Sequence, residues 1–279
     1  MRLRSLLFVP ADRPERFAKA AASGADAIII DLEDSVAPAN KAKARDALRE
    51  FLQTECEVPV LVRVNPLDGE ETQADLAAIL PEPPVGVMLP KAEGAGSIAR
   101  LVAMMEGAAI PVLPIATETP AAVFELGSYR EVGGDLLGLT WGAEDLPAAI
   151  GATSAREEDG SYTAPLQTVR SLALLGAHAA GVPAIETVYP DIKDAEGLAA
   201  YAARGRRDGF SGMMAIHPAQ VEIINRAFAP SEAEIAHARA VVAAFDAQPN
   251  AGALQLDGRM IDRPHLVQAR RVLEQVEQS

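Results

Sequence analysis

Cysteine is almost absent from this chain: Cys56 is the only one in 279 residues. No disulfide framework can form within the chain, which fits a reducing compartment. No basic tract is present either, and the formal net charge is −14. Nucleic acid is therefore not expected as a partner, because neutralising phosphates needs clustered Lys and Arg. The acidity is spread through helical positions, where it keeps the chain in solution, so an anionic ligand would need a few local arginines working against that background. No apolar run reaches about 18 residues, the length of a membrane span. The run near the start stops at Pro10, too early for a signal peptide, and a cytoplasmic protein is expected. Low-complexity segments and linkers are missing. No GxGxxG follows the first apolar run, which counts against an open, doubly wound dinucleotide sheet.

What the chain has in quantity is apolar sequence, 49% of it, arranged in eight short runs. They are "LLFVP" (6–10), "AIIID" (27–31), "PVLVRV" (59–64), "VGVMLP" (85–90), "IPVLPIA" (110–116), "DLLGLTW" (135–141), "PAIETV" (183–188) and "GMMAI" (212–216). The runs are continuous rather than alternating, as in strands buried on both faces. Ala-rich helical stretches such as "RPERFAKAAAS", "NKAKARDALREFL" and "TVRSLALLGAHAAG" separate them, and Gly24 and Gly181 close two of these. Eight strand–helix units predict a parallel (β/α)8 TIM barrel over residues 1–228. Residues 229–279 are then a C-terminal helical lid or extension: a helix over 231–248, a Gly-containing connection "PNAGALQLDGRM", and a helix over 264–277.

Active sites of such barrels lie at the C-terminal ends of the strands. The groups expected there are Asp12 and Arg13, the "DLEDSV" segment (31–36), Arg63 and Asn65, Lys91, Thr117 with Glu118 and Thr119, Glu144 with Asp145, Glu186, and His217. With one cysteine and four histidines in all, carboxylates from adjacent strands suit a hard cation such as Mg2+, which takes one or two carboxylates and fills its shell with water and substrate oxygens. Glu118 and either Glu144 or Asp145 are the candidates, the other reading being that the Glu-Asp pair merely starts a helix. Arg63, inside an apolar strand, needs a partner acid such as Glu33 or Asp34 if it is structural. Otherwise its planar fork holds a carboxylate or a developing oxyanion. Lys91 has nothing around it to depress its pKa and reads as structural or as a substrate-edge residue. His217, before Pro218, reads as a helix start, and Trp141 as core or pocket wall.

The segments "SLLFVPADRPERFAKAAASGADAIIIDLEDSV", "VRVN", "MLPKAE", "IATETPAAV", "LTWGAEDL" and "AIHPAQVEIINRAFAPSEAEI", in this order and at these spacings, resemble the citrate lyase β-subunit-like family. That family is a branch of the HpcH/HpaI aldolase and malyl-CoA lyase superfamily. The resemblance implies a Mg2+-dependent carbon–carbon lyase acting next to a thioester, on malyl-CoA, citramalyl-CoA or citryl-CoA, to give acetyl-CoA and a 2-oxoacid. It implies Glu118 and Asp145 as metal ligands, with Glu144 in support. It also implies Arg63 as a catalytic, substrate-binding arginine, with Glu118 beside it at the substrate. The tail "LDGRMIDRPHLVQARRVL" resembles the extension of malyl- and citramalyl-CoA lyases. There an Asp, here Asp262, enters a neighbouring subunit's site as acid/base, so a homo-oligomer, trimer or hexamer, is expected. CoA phosphates need cations, and Arg13, Arg16 and Lys19 on the first loop and helix are the candidates, the other reading being that they form a solvated helix face. The alternatives are a thioesterase of the malyl-CoA type on the same site, or a lyase subunit serving an acyl carrier protein. "DLEDSV" lacks the His that pyruvate aldolases of the superfamily carry after the second strand, which counts against that chemistry.

Overall fold

The structure, a computed structural model, describes residues 1–277, so the expected C-terminal extension runs two residues beyond them. A strand forms in each of the eight apolar runs: β1 (Ser5–Pro10), β2 (Ala27–Asp31), β3 (Val60–Arg63), β4 (Gly86–Leu89), β5 (Val112–Pro114), β6 (Leu139–Thr140), β7 (Ala184–Glu186) and β8 (Gly212–Ala215). The helices of the barrel are α1 (Phe17–Ala21), α2 (Lys41–Leu52), α3 (Glu71–Ile79), α4 (Ala95–Met104), α5 (Pro120–Phe124), α6 (Asp145–Ala149), α7 (Ala164–Ala179), α8 (Ala195–Asp208) and α9 (Pro218–Ala227).

All neighbouring strands are parallel, in the order β5-β4-β3-β2-β1-β8-β7-β6. Between β5 and β6 the ladder thins to isolated parallel bridges, Val112 with Leu136 and Ile115 with Thr140. Leu137 N–H donates to Val112 O at 2.8 Å and Ala116 N–H to Thr140 O at 2.9 Å. These few bonds join the sheet's two edges, and the protein is a (β/α)8 barrel with one sparsely bonded seam. Alternate residues of the strands fill its interior: Leu6, Ile29, Leu61, Met88, Leu113, Ile185 and Met214 pack together there. The intervening Leu7, Ile28, Ile30, Val62 and Val87 are equally buried. Burial on both faces is why the runs are continuous rather than alternating. Trimming one such leucine to alanine costs about 2–5 kcal/mol.

The helices follow from the same economy. In α2, Ala44 and Leu48 lie one turn apart on the buried face. In "TETP", Thr119 caps α5, its Oγ1 accepting from Ala122 N–H at 3.1 Å, with Pro120 at the first helical position.

The chain divides into two compact units, Leu3–Asn225 and the part from Arg226 onward. In the second, α10 (Glu232–Ala247) opens with a capping box between Ser231 and Glu234. The glycine-containing connection proves to be a hairpin of β9 (Ala253–Leu256) and β10 (Arg259–Asp262), followed by α11 (Arg263–Glu277). Asp257 and Gly258 both have positive φ, 49° and 77°, as a two-residue Asp-Gly turn requires. Phe245, Ile261 and Leu266 lie in the core of this unit.

Candidate active site

Parallel strands place all their C-terminal ends at one mouth, and a chain of charges crosses it. The β2–β3 register sets Asp31 opposite Arg63. Arg63 Nε donates to Asp31 Oδ1 and Nη2 to Oδ2, each at 2.7 Å. Arg63 Nη1 lies 2.8 Å from Glu33 Oε2, and the guanidinium covers the Phe8 ring at 4.9 Å. Lys91 Nζ donates to Glu33 Oε1 at 2.8 Å and lies 3.6 Å from Asp145 Oδ1. Lys91 N–H, in turn, donates to Glu118 Oε2 at 2.5 Å. Lys91 has φ of 51°, unusual for a residue with a side chain; at this bend its backbone and its ammonium serve two different carboxylates.

The electrostatics follow from this packing. Burial works to raise the Asp31 carboxyl, but the Arg63 hydrogen bonds and charge outweigh it and hold the group below the usual range. Burial likewise opposes the charge on Arg63, and Asp31 and Glu33 outweigh it, so that arginine stays charged. Glu33 is pushed up by burial, with Arg63 and Lys91 offsetting part of the rise. Glu118 is only 5% exposed. Burial pushes its carboxyl up to about 7, Glu33 and Asp145 add to the rise, and the Lys91 amide and ammonium oppose it.

The donor set fits a divalent cation. Were all four linked carboxylates (Asp31, Glu33, Glu118, Asp145) ionised against the two cations (Arg63, Lys91), two negative charges would be uncompensated. Burial first, and then neighbouring acids, raise the Glu33 and Glu118 carboxyls against that excess. Glu33 Oε2 is buried and, despite its nearness to Arg63, makes no hydrogen bond. Among the described residues no three His, Cys, Asp or Glu side chains form a ready cage. Mg2+ needs none, since it usually keeps several waters and takes one or two carboxylates.

Glycine is required beside Glu118: a Cβ on Gly142 would stand 2.7 Å from Glu118 Cγ. Gly142 N–H also donates to Thr117 Oγ1 at 3.0 Å, tying the β5 end to the β6 end. Of the neighbouring acids, Asp145 joins the network as the first residue of α6, whereas Glu144 is exposed and makes no capping bond.

Glu186 does not open into the mouth. It is fully buried and receives Trp141 Nε1 at 2.5 Å, Tyr201 Oη at 2.8 Å, Thr187 N–H at 3.0 Å and Arg170 Nε at 2.7 Å. Glu186→Ala strands those donors and is expected to cost about 3–5 kcal/mol, read as a lower urea midpoint at an unchanged slope. A near-wild-type midpoint would show that water replaces the carboxylate. Arg13, Arg16 and Lys19 are exposed on the turn and helix after β1, and only Arg13 has an acid near it, Asp12 at 4.0 Å. His217 Nδ1 accepts from Ala219 N–H at 3.2 Å, at the start of α9 as expected. Asp262 lies in the second unit, half-buried, its Oδ1 2.5 Å from His265 Nδ1.

Sequence reasoning missed Lys41. Its buried ammonium donates to Leu32 O, Glu33 O and Asn65 Oδ1 at 2.6–2.8 Å and so fixes the acidic loop after β2. Nothing in "NKAKAR" marks this lysine off from its neighbour Lys43.

Comparison with known proteins bears on what this arrangement does. Residues 4–218 match the family model described as HpcH/HpaI aldolase/citrate lyase. A citrate lyase subunit beta-like protein of Mycobacterium tuberculosis is 40% identical over 96% of this chain and 93% of its own length. A (3S)-malyl-CoA thioesterase of Cereibacter sphaeroides is 35% identical over 98% of this chain and 94% of its own. The crystal structure of protein CitE from M. tuberculosis in complex with magnesium, acetoacetate and coenzyme A superposes with a TM-score of 0.86, at 38% identity over 98% of each chain.

Proposed function

The chain belongs to the HpcH/HpaI aldolase/citrate lyase family and is a magnesium-dependent lyase of it, and from that premise we propose that it interconverts a short 3-hydroxyacyl-CoA with acetyl-CoA and a 2-oxoacid. The observation that carries the proposal is the buried Glu118, whose carboxyl is raised by burial and further by the charges of Glu33 and Asp145 at the same mouth. Glu118 and Asp145 would hold the Mg2+. Bound there, the ion would act as a Lewis acid on the oxygens of the oxoacid.

The remaining work falls to side chains. Asp31 grips one edge of Arg63 and Glu33 lies beside Nη1, so the N–H groups not turned to these two acids are left to meet negative charge on the oxoacid or on the enolate oxygen. Such a donor stabilises the transition state only if it is already aimed, and the Asp31 fork with the Phe8 ring keeps it aimed. In the condensing direction Asp262, supplied by a neighbouring chain of a homo-oligomer, removes a methyl proton from acetyl-CoA. In cleavage it returns that proton. Arg13, Arg16 and Lys19 would attract the phosphates of CoA.

The test is to supply purified protein and Mg2+ with malyl-CoA, citramalyl-CoA and citryl-CoA. The expected result is acetyl-CoA and an oxoacid in equal amounts from at least one of them. Release of free CoA and a hydroxyacid instead would favour the thioesterase reading, which the C. sphaeroides relative keeps in view. Inertness towards all three, with turnover of an acyl carrier protein thioester, would favour a lyase subunit.

Sharing of the site between chains has its own test. Asp262→Asn and Arg63→Ala are each expected to be inactive, and mixing them under subunit exchange is expected to restore part of the activity. A mixed oligomer can build an intact site from Arg63 of one chain and Asp262 of the other. Proven exchange without recovery would mean that each site belongs to one chain.

A further inference from the structure

We infer that His265 is a positioning residue for Asp262, fixing the carboxylate so that one oxygen is held and the other is free to take a proton. The inference rests on the reading of Asp262 as the acid/base group. It arises from the junction between β10 and α11, where Asp262 ends the strand and the helix begins at Arg263.

An aspartate immediately before a helix ordinarily turns its carboxylate onto the N–H groups of the second and third helical residues. Here the second is Pro264, which has no N–H. The third is His265, and its side chain takes up the carboxylate: Nδ1 lies 2.5 Å from Asp262 Oδ1. Asp262 N–H also points at the same nitrogen, at 3.2 Å. A ring nitrogen carries either a proton or a lone pair, so it serves one of these contacts at a time. The shorter, charge-assisted contact to the carboxylate is the stronger, which assigns the proton to Nδ1 and the donor role to His265.

Two further features agree. The His265 hydrogen bond is the largest influence on the Asp262 carboxyl and draws it below the usual range, which holds the group as the carboxylate but weakens it as a base, so what His265 supplies is aim rather than basicity. Both side chains are partly exposed, at 46% and 37%. A pair built only to hold a core together is not placed so. Rotation about the Asp262 side chain would otherwise swing either oxygen outward. With Oδ1 held, Oδ2 is the one left free. His265 also lines a cavity of about 410 Å³ with His237 of α10 and Asp257, Arg259 and Met260 of the hairpin, so its ring has room beside it.

The alternative is that His265 merely completes a helix cap through Asp262 N–H. Two substitutions separate these. His265→Asn keeps an N–H donor near the place of Nδ1 and is expected to exchange acetyl-CoA methyl protons within about threefold of wild type. His265→Glu is a normal partner for a helix cap but sets a like charge against Asp262. It is expected to lose about 100-fold in exchange, the lower end of what a positioned acid–base group contributes, with oxoacid affinity and thermal midpoint unchanged. His265→Glu exchanging like wild type, or His265→Asn failing as badly as His265→Glu, would overturn the inference. The ring nitrogen shifts of His265 in the wild-type protein give a measure independent of folding: Nδ1 carrying the proton is expected, and Nε2 carrying it would overturn the assignment. Asp262→Asn, run in parallel, tests the underlying reading alone. If it exchanges normally, Asp262 is not the acid/base group, whatever His265 does.

Discussion

Glu118→Gln and Asp145→Asn are each expected to bring Mg2+-dependent turnover below detection while leaving the fold intact. Both changes keep shape and remove one negative charge. The Lys91 N–H that now donates to Glu118 Oε2 retains an acceptor in glutamine, so the β4–β5 side of the mouth has no reason to rearrange. What is lost is attraction for a doubly charged ion at a site where low dielectric makes each charge count for more than in water. Asp145 is partly exposed at the first turn of α6, so its change costs little in packing. Glu144→Gln, exposed and outside the network, is expected to be much milder. The measurement is a Mg2+ titration of turnover alongside the thermal midpoint. Retention of activity in Asp145→Asn with its loss in Glu144→Gln would exchange the roles of the two acids.

Arg63→Lys is expected to lose at least about 100-fold in kcat/KM, the scale of removing one donor to a developing oxyanion. Lysine keeps the charge but has one nitrogen where Arg63 uses three, two on Asp31 and one beside Glu33. It cannot span both acids and still present donors to a ligand. Some stability should be lost as well, because Asp31 is buried and loses its fork. The kinetic and thermal effects therefore have to be read separately. A lowered midpoint with wild-type kinetics would make Arg63 a structural ion pair and no more.

The barrel was legible because burial on both faces leaves a continuous apolar run, and all eight runs carry strands. The site was legible to the extent that strand ends share one mouth. Register was not. Arg63 was expected to pair with Glu33 or Asp34, and it pairs with Glu33 but chiefly with Asp31, its neighbour across the β2–β3 ladder. One residue of offset in that ladder would have changed the partner, and no local property of "AIIID" or "PVLVRV" fixes the offset. Glu186 read as one more acid at a strand end, yet its four donors come from Trp141, Arg170, Thr187 and Tyr201, most of them far away in sequence. The hairpin in the tail is a different case. "LDGR" carries the Asp-Gly signal of a two-residue turn, and reading "PNAGALQLDGRM" as a plain connection passed over it.

Glu118 follows β5 and Asp145 follows β6, so the two acids stand on opposite banks of the seam where the barrel's ladder thins to isolated bridges. Anything that grips both banks also clasps the sheet shut at its loosest join. With Glu118 and Asp145 as the proposed ligands, occupancy of the site would be coupled to closure of this seam. A cation held by both carboxylates, as proposed, would add to the few hydrogen bonds that join this seam, from Leu137 to Val112 and from Ala116 to Thr140. A substitution on the outer wall beside that join, remote from any ligand, would be felt at the mouth as a change in how long the occupant stays.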